Sequence, residues 1–279
     1  MNSTAWKTAG WSSTDPSSRE KNLDRTDPET IVYPGYKAWR IRGRRVRGGQ
    51  VLPCWVVRTK RTGTMEYGVA LSLQRSLFAA RRSGLIDNVL LLLEHPPTYT
   101  IGRRLRASEH LLYGEETLRT RGIRVYETDR GGDITCHGPG QLVGYTIFDI
   151  AAWYQDVYRY LRDLEAAIIG CLADFGIEGR RLEGITGVWA DDRKVAALGI
   201  RVSWWIAMHG FSVNVRPDLS LYEGIVPCGI ADREVTSMER LLGRTVSMEE
   251  VEKSLLRNLG DVFGMAFKET SLPELQQKL

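Results

Sequence analysis

The sequence predicts a mixed α/β fold, a central mixed sheet flanked by helices, and three observations carry that expectation. From Leu52 onward, apolar runs of strand length alternate with segments of helical periodicity. Residues 89–93 are uninterrupted apolar, the mark of a strand buried on both faces. Val157, Leu161, Leu164, Ile168 and Leu172 recur at helical spacing and stop at Gly176. A chain of 279 residues with 43% hydrophobic content can bury a sizeable core, and no internal repeat divides it.

Residues 1–48 stand apart as a polar arm, rich in Ser, Thr and Asp, with Pro16, Pro28 and Pro34. The basic run over residues 40–49 ends it and reads as a solvated linker more readily than as a nucleic-acid contact. The remainder, residues 49–279, is read as one catalytic domain. Val56 opens a short strand. Residues 66–83 form a helix with Val69, Leu73, Leu77 and Ala80 on its buried face and Gly84 as its stop. Pro96 and Pro97 end the apolar strand of residues 89–93. A short helix over residues 115–121 closes at Gly122, and strands follow over residues 123–126 and 142–147. Residues 185–190 and 195–202 predict a hairpin around Asp191 and Asp192. Two capping boxes, Thr236 with Glu239 and Ser247 with Glu250, announce C-terminal helices, the second carrying Val251, Leu255 and Val262.

The bulk properties exclude several classes. With 38 basic and 34 acidic residues, the net charge of +4 makes no case for nucleic acid but suits docking to an acidic partner. No apolar run reaches membrane-spanning length, and the N-terminus lacks the apolar stretch of a secretory signal, so a cytoplasmic location is expected. Cys54, Cys136, Cys171 and Cys228 form no C-x-x-C pair. Free thiols are expected, and no Cys/His spacing suggests a metal.

Four segments carry chemistry. Residues 130–141 hold four glycines and a proline, with Arg130 and His137 as polar anchors. That composition favours a substrate-cradling loop over a plain structural turn. It is not a phosphate loop, because neither G-x-x-x-x-G-K-[ST] nor G-x-G-x-x-G after a strand is present. Lys194 opens a small, apolar strand, where it either points inward or remains a solvated hairpin lysine. Cys228 stands between Pro227 and Gly229, which fits an exposed nucleophile and also a small buried hydrophobe. Cys171, on a helix face, reads as core. His209, beside Gly210 and before a strand, fits a base or a structural histidine equally.

Taken in order, these segments resemble the lipoyl(octanoyl) transferase family of lipoate biosynthesis. The resemblance rests on residues 92–97 (Leu-Leu-Glu-His-Pro-Pro), 99–104 (Tyr-Thr-Ile-Gly-Arg-Arg), the 130–141 loop, 194–200, 208–215 and 227–230 (Pro-Cys-Gly-Ile), and spans residues 52–265 without large gaps. It implies the fold of biotin- and lipoate-protein ligase catalytic domains. It also implies transfer of an octanoyl group from acyl carrier protein to a lysine on lipoyl domains of 2-oxoacid dehydrogenases and of the glycine cleavage H protein. Cys228 would carry the acyl thioester and Lys194 would lower its pKa. Substrate contacts would fall on Arg130, Gly131, Gly132, Asp133, Ile134, Thr135, Cys136 and His137, on Ala197, Leu198 and Gly199, and on Gly210, Phe211 and Ser212. No ATP, metal or other cofactor is implied. The position before the loop histidine is usually aromatic in this family, and Cys136 there implies a roomier pocket with a second thiol nearby. The rival readings are a thioesterase using Cys228 with His137 or His209, an ATP-dependent lipoate or biotin ligase on the same fold, and a non-catalytic module that binds lipoyl domains or carrier protein. A nucleic-acid binder built on the basic arm is the weakest of them.

Overall fold

The computed structural model describes residues 51–58, 63–227 and 234–278. The expected polar arm, residues 1–48, and its boundary with the catalytic domain lie outside the described residues. In chain order the elements are β1 (Leu52–Arg58), α1 (Tyr67–Arg82), β2 (Asn88–Leu93), β3 (Thr98–Ile101), α2 (Glu115–Thr120), β4 (Arg124–Glu127) and β5 (Thr135–His137). There follow β6 (Gln141–Ile147), α3 (Val157–Asp174), β7 (Arg180–Leu182), β8 (Ile185–Ala190), β9 (Arg193–Ser203), β10 (Ile206–Asn214), α4 (Met238–Leu242), α5 (Met248–Phe263), β11 (Met265–Thr270) and α6 (Leu272–Gln276).

Eight strands form the main sheet in the order β11-β1-β2-β6-β10-β9-β8-β7, and β4-β3-β5 form a second, small sheet. In the main sheet β1 pairs in parallel with both β11 and β2, and the other pairings are antiparallel, so the mixed sheet expected from sequence is present. Leu90 and Leu92 of β2 face a core shared with Leu164, Ile168 and Leu172 of α3 and Val251, Leu255 and Leu259 of α5. Val89, Leu91 and Leu93 face a second core with Leu73 and Leu77 of α1. Side chains alternate along a strand, which is why a two-faced strand reads as one apolar run.

Several expectations need correction. Val69 is 59% exposed, because α1 presents Ala70, Leu73, Gln74 and Leu77 to the sheet instead. Ser237, not Thr236, caps α4 by accepting from the Arg240 N–H, and Thr236 is buried against the sheet. Ser247 caps α5 through the Glu250 N–H. The β8–β9 turn falls on Asp191 and Asp192, both left-handed, as a two-residue hairpin turn requires. An unforeseen second turn of that kind joins β9 to β10 through Trp204 and Trp205, with φ of 54° and 59°. Strand β11 was not read from sequence, and of the small sheet only β4 was foreseen, as the strand over residues 123–126. Among the described residues no helix is long and apolar enough to cross a membrane.

Candidate active site

A cavity of about 370 Å³ opens between the β9–β10 region of the main sheet and the glycine-rich loop before β5. That size falls in the usual range of small-ligand sites, roughly 300–1,000 Å³. Loop and sheet meet backbone to backbone. The Gly131 N–H donates to the Ile200 carbonyl at 2.8 Å, and a Cβ on Gly199 would lie 2.9 Å from the Gly131 oxygen. On the other side the loop is laced to the end of β3, the Arg103 and Arg104 N–H groups donating to the Arg130 and Gly132 carbonyls at 3.0 Å each. Glycine at 102 is required for this, since a Cβ there would sit 2.3 Å from the Gly132 oxygen.

Of the expected substrate contacts, Arg130, Gly132, Asp133, Ile134, Thr135, His137, Ala197, Leu198, Gly199, Gly210, Phe211 and Ser212 line the cavity, and Gly131 and Cys136 do not. Strand alternation explains Cys136: Thr135 and His137 of β5 face the cavity, and the residue between them faces Tyr99, Leu118 and Ile134 in a separate core. Burial raises its thiol pKa, as it does for Cys54, and pushes Cys171 up to about 11. The second thiol foreseen beside the pocket therefore points away from it.

Lys194 is only 5% exposed and also lines the cavity. Its Nζ donates to the Thr186 carbonyl at 3.3 Å and lies 4.9 Å from the centre of the Trp189 ring. The side chain fits because residue 187 is glycine at φ +139°. A Cβ there would come within 2.9 Å of Lys194 Cε and 3.2 Å of Nζ. The Gly187 N–H is in turn held at 2.9 Å by Glu165, a fully buried α3 carboxylate that also pairs with Arg162 and Arg181. The main chain of Lys194 is clamped separately: its N–H donates to the Glu234 carbonyl and its carbonyl accepts from the Thr236 N–H, both at 2.9 Å. Cys228 lies outside the described residues, which stop at Pro227 and resume at Glu234.

A hydrogen-bond chain links this clamp to the loop. His137 Nδ1 donates to Gln141 Oε1 at 2.7 Å, Gln141 Nε2 donates to Asn214 Oδ1 at 2.9 Å, and Asn214 Nδ2 donates to the Thr236 carbonyl at 3.0 Å. Gln141 Oε1 can only accept, so the His137 proton resides on Nδ1 and Nε2 keeps a lone pair. Burial, with His95 nearby, pushes His137 down to about 3, so its ring is neutral. His95 is likewise pushed down by burial, to about 4, and hydrogen-bonds Met65 O at 2.5 Å and the Tyr145 hydroxyl at 2.6 Å. Arg130 is buried with its guanidinium on Thr100, Nη2 lying 2.6 Å from the carbonyl and 2.9 Å from Oγ1. Asp133 accepts from its neighbour Ile134 N–H and from His110 at 2.7 Å each, so it braces the loop. The apolar wall includes Val143, Leu198 and Phe211. The Phe211 ring lies directly over Gly144, where a Cβ would be 2.2 Å from the ring edge. Sequence reasoning gave Gln141 and Asn214 no role of their own although both lie in marked segments, 130–141 and 208–215; it read Thr236 only as a helix cap and did not single out Glu165. Among the described residues no three His, Cys, Asp or Glu side chains gather as a metal site.

Residues 66–260 match the profile of the lipoyl protein ligase A/B catalytic domain. A protein of Rubrobacter xylanophilus named octanoyltransferase is 50% identical over 203 residues, covering 72% of this chain and 91% of its own length. One of the same name from Solibacter usitatus is 46% identical over 73% of this chain and 91% of its length. Among solved structures, a lipoate-protein ligase A bound with ATP superposes with a TM-score of 0.62 at 19% identity, over 82% of this chain and 92% of that one. A bipartite lipoate protein ligase of Thermoplasma acidophilum, described with its E2 lipoyl domain, gives 0.61 at 18% identity, over 81% and 89%. At such identities the two structures establish the fold and nothing finer.

Proposed function

The chain belongs to the lipoyl protein ligase A/B catalytic-domain family, among its octanoyltransferases, and from that premise we propose that this acyltransferase passes an octanoyl group from acyl carrier protein to a lysine of lipoyl domains through a thioester on Cys228. The acceptors in this reading are the lipoyl domains of 2-oxoacid dehydrogenases and the glycine cleavage H protein. Acyl transfer from thioester to amide runs downhill, so the reaction needs no nucleotide. The carrying observation is Lys194, a buried lysine in the wall of a cavity of acyl-chain size, with residues 234–236, shortly after Cys228 in the chain, clamped to its main chain.

A lysine ammonium beside a thiol favours the thiolate, which is the attacking species. The thiolate adds to the carrier's thioester carbonyl, the carrier's phosphopantetheine thiolate leaves, and the acyl group stays on Cys228. The cysteines at 54, 136 and 171 support this choice by contrast: each is about 1% exposed with its thiol pKa raised by burial, and such thiols are inert. Leu198, Phe211 and Val143 supply an apolar wall for the chain. Each buried methylene contributes about 0.8 kcal/mol, so a closed end can read chain length.

Intact-mass measurement after mixing with octanoyl carrier protein tests the thioester. Wild-type enzyme gains one octanoyl group and Cys228→Ala gains none; an adduct retained on that variant would overturn the assignment. Lys194→Ala should shift the alkylation profile of Cys228 to higher pH, and the three buried thiols make the readout specific. An unchanged profile would remove Lys194 from that role.

A further inference from the structure

His209 sits in the cavity wall and takes no part in the reading above. Its place in β10 would set its ring beside Ala207 and Phe211, on the face packed against α3 and α5. Instead its φ is +60°, a left-handed conformation uncommon for any residue but glycine, and the ring is carried to the loop side. There Nε2 meets Asp129 Oδ1 at 2.8 Å, and Asp129 also meets Arg201 Nη1 at 3.2 Å. The His209 N–H is held at 2.9 Å by Gln74 Oε1 of α1. These contacts fix the tautomer: Nε2 carries the proton and donates it as a hydrogen bond to the carboxylate, and Nδ1 keeps its lone pair. That Nδ1 is buried and meets no hydrogen-bond partner among the described residues. A backbone outlier, a carboxylate behind the ring and an orphaned buried acceptor on a residue of the cavity wall together mark a group held ready for a donor.

We propose that His209 Nδ1 is the proton acceptor for the incoming amine, with Asp129 as its positioning residue. The inference rests on the acyl-to-lysine reading, though not on which atom carries the acyl group. The acceptor lysine first gives one proton to solvent, and its nitrogen lone pair then forms the C–N bond to the thioester carbonyl carbon. The nitrogen becomes cationic, and one N–H proton passes to Nδ1. Asp129 faces the resulting imidazolium. When the carbonyl re-forms, the C–S bond breaks, the sulfur leaves with the electron pair, and the Nδ1 proton passes to it. Atoms and charges balance with no further reactant. The charged or titratable groups around the ring are Asp129, Arg130 and Arg201, with neutral His137 beyond. Burial and the two arginines push His209 below the usual imidazole value, against the Asp129 bond, so it arrives neutral.

His209→Asn tests this, since Asn tolerates the left-handed backbone and offers a hydrogen-bonding atom near the Nδ1 position but cannot carry a proton. Asp129→Asn is the companion should the first variant fold poorly. Acyl loading from octanoyl carrier protein and acyl discharge to a lipoyl domain are followed separately by quenched intact mass, with hydroxylamine as a second acceptor. Hydroxylamine reaches the enzyme unprotonated at neutral pH and loses its proton readily. The expected result is discharge to lysine slowed about 100-fold in His209→Asn, as for loss of a general base, with loading slowed far less and discharge to hydroxylamine largely restored. Asp129→Asn should give the same pattern, weaker. Equal slowing of lysine and hydroxylamine, or no slowing, would overturn the proposal. If wild-type enzyme shows no adduct, the covalent reading fails alone, and the lysine-to-hydroxylamine ratio in overall turnover still decides on His209.

Discussion

The α3–α5 core and the cavity, two regions built on one sheet, follow different rules. Toward α3 and α5, the core is a redundant apolar pack in which Leu164, Ile168 and Leu172 meet Val251, Leu255 and Leu259, all fully buried on helical spacing. At the cavity, the buried groups include Arg130, Lys194, His137 and His209, each held by named partners. Glycines there press against carbonyls, and one histidine is left-handed. Area removed from water stabilises the first region, and any side chain of similar volume serves nearly as well. Geometry sustains the second, and few substitutions satisfy it.

The largest separation between the two should come from Gly210→Ala. A Cβ there would lie 2.1 Å from the Gly144 carbonyl oxygen, backbone against backbone, so β10 and β6 must part. Transfer activity should fall at least about 100-fold, the usual cost of displacing catalytic geometry by about an ångström. A variant of unchanged activity would show the cavity to be plastic. Leu259→Ala, in the α3–α5 core, should cost about 2–5 kcal/mol in urea denaturation yet leave turnover per folded molecule unchanged; a fall in turnover would show that the two regions are coupled.

On acidification from neutral pH the cavity side should respond first, because all four histidines lie there or along its edge and carboxylates such as Asp174 beside α5 titrate lower. His95 and His137 are held neutral when folded, at about 4 and about 3, against about 6.5 when unfolded. Between those values the unfolded chain binds more protons. Stability is therefore full above pH ~6.5 and declines as pH falls, by up to about 1.4 kcal/mol per unit for each ring. Leu259→Ala should lower this curve without changing its shape, as thermal melts across pH 4–7 would show. The smallest effect belongs to Val69→Lys, within about 0.5 kcal/mol, since that position faces water. A loss of several kcal/mol would return Val69 to the core.

This contrast also governs what the sequence made legible. The α3 helix, the two-faced β2 and the Asp191–Asp192 turn follow from period and turn chemistry, which are local. The membership of the cavity wall was legible through the family resemblance, and the local residues alone left Lys194 open between a buried and a solvated lysine. Cys136 went astray because which face residue 135, 136 or 137 presents depends on the pairing of β5 with β3, a tertiary fact. Val69 was misplaced because the face of α1 is set partly by Gln74, a polar residue buried to hold the His209 N–H. The bend at His209 has no compositional signal, since a histidine before a glycine is equally at home in a regular strand. Strand β11 escaped because its sequence carries Lys268 and Glu269 on an edge that needs little apolar content.

That edge has a consequence for the order of assembly. Strand β1 lies between β2 and β11, and Leu52 pairs with Met265, about two hundred residues later in the chain. During synthesis β1 emerges early, pairs on one flank with β2, and leaves its other flank open until β11 has been made. Long-range parallel pairing of this kind is slow, because loop-closure entropy must be overcome before any contact is gained. The helices and the β8–β9–β10 meander can form beforehand, and the seam between β1 and β11 closes last. An unpaired β1 flank is therefore the surface that a holding chaperone would guard in the nascent protein, and the one most exposed to aggregation when that closure is delayed.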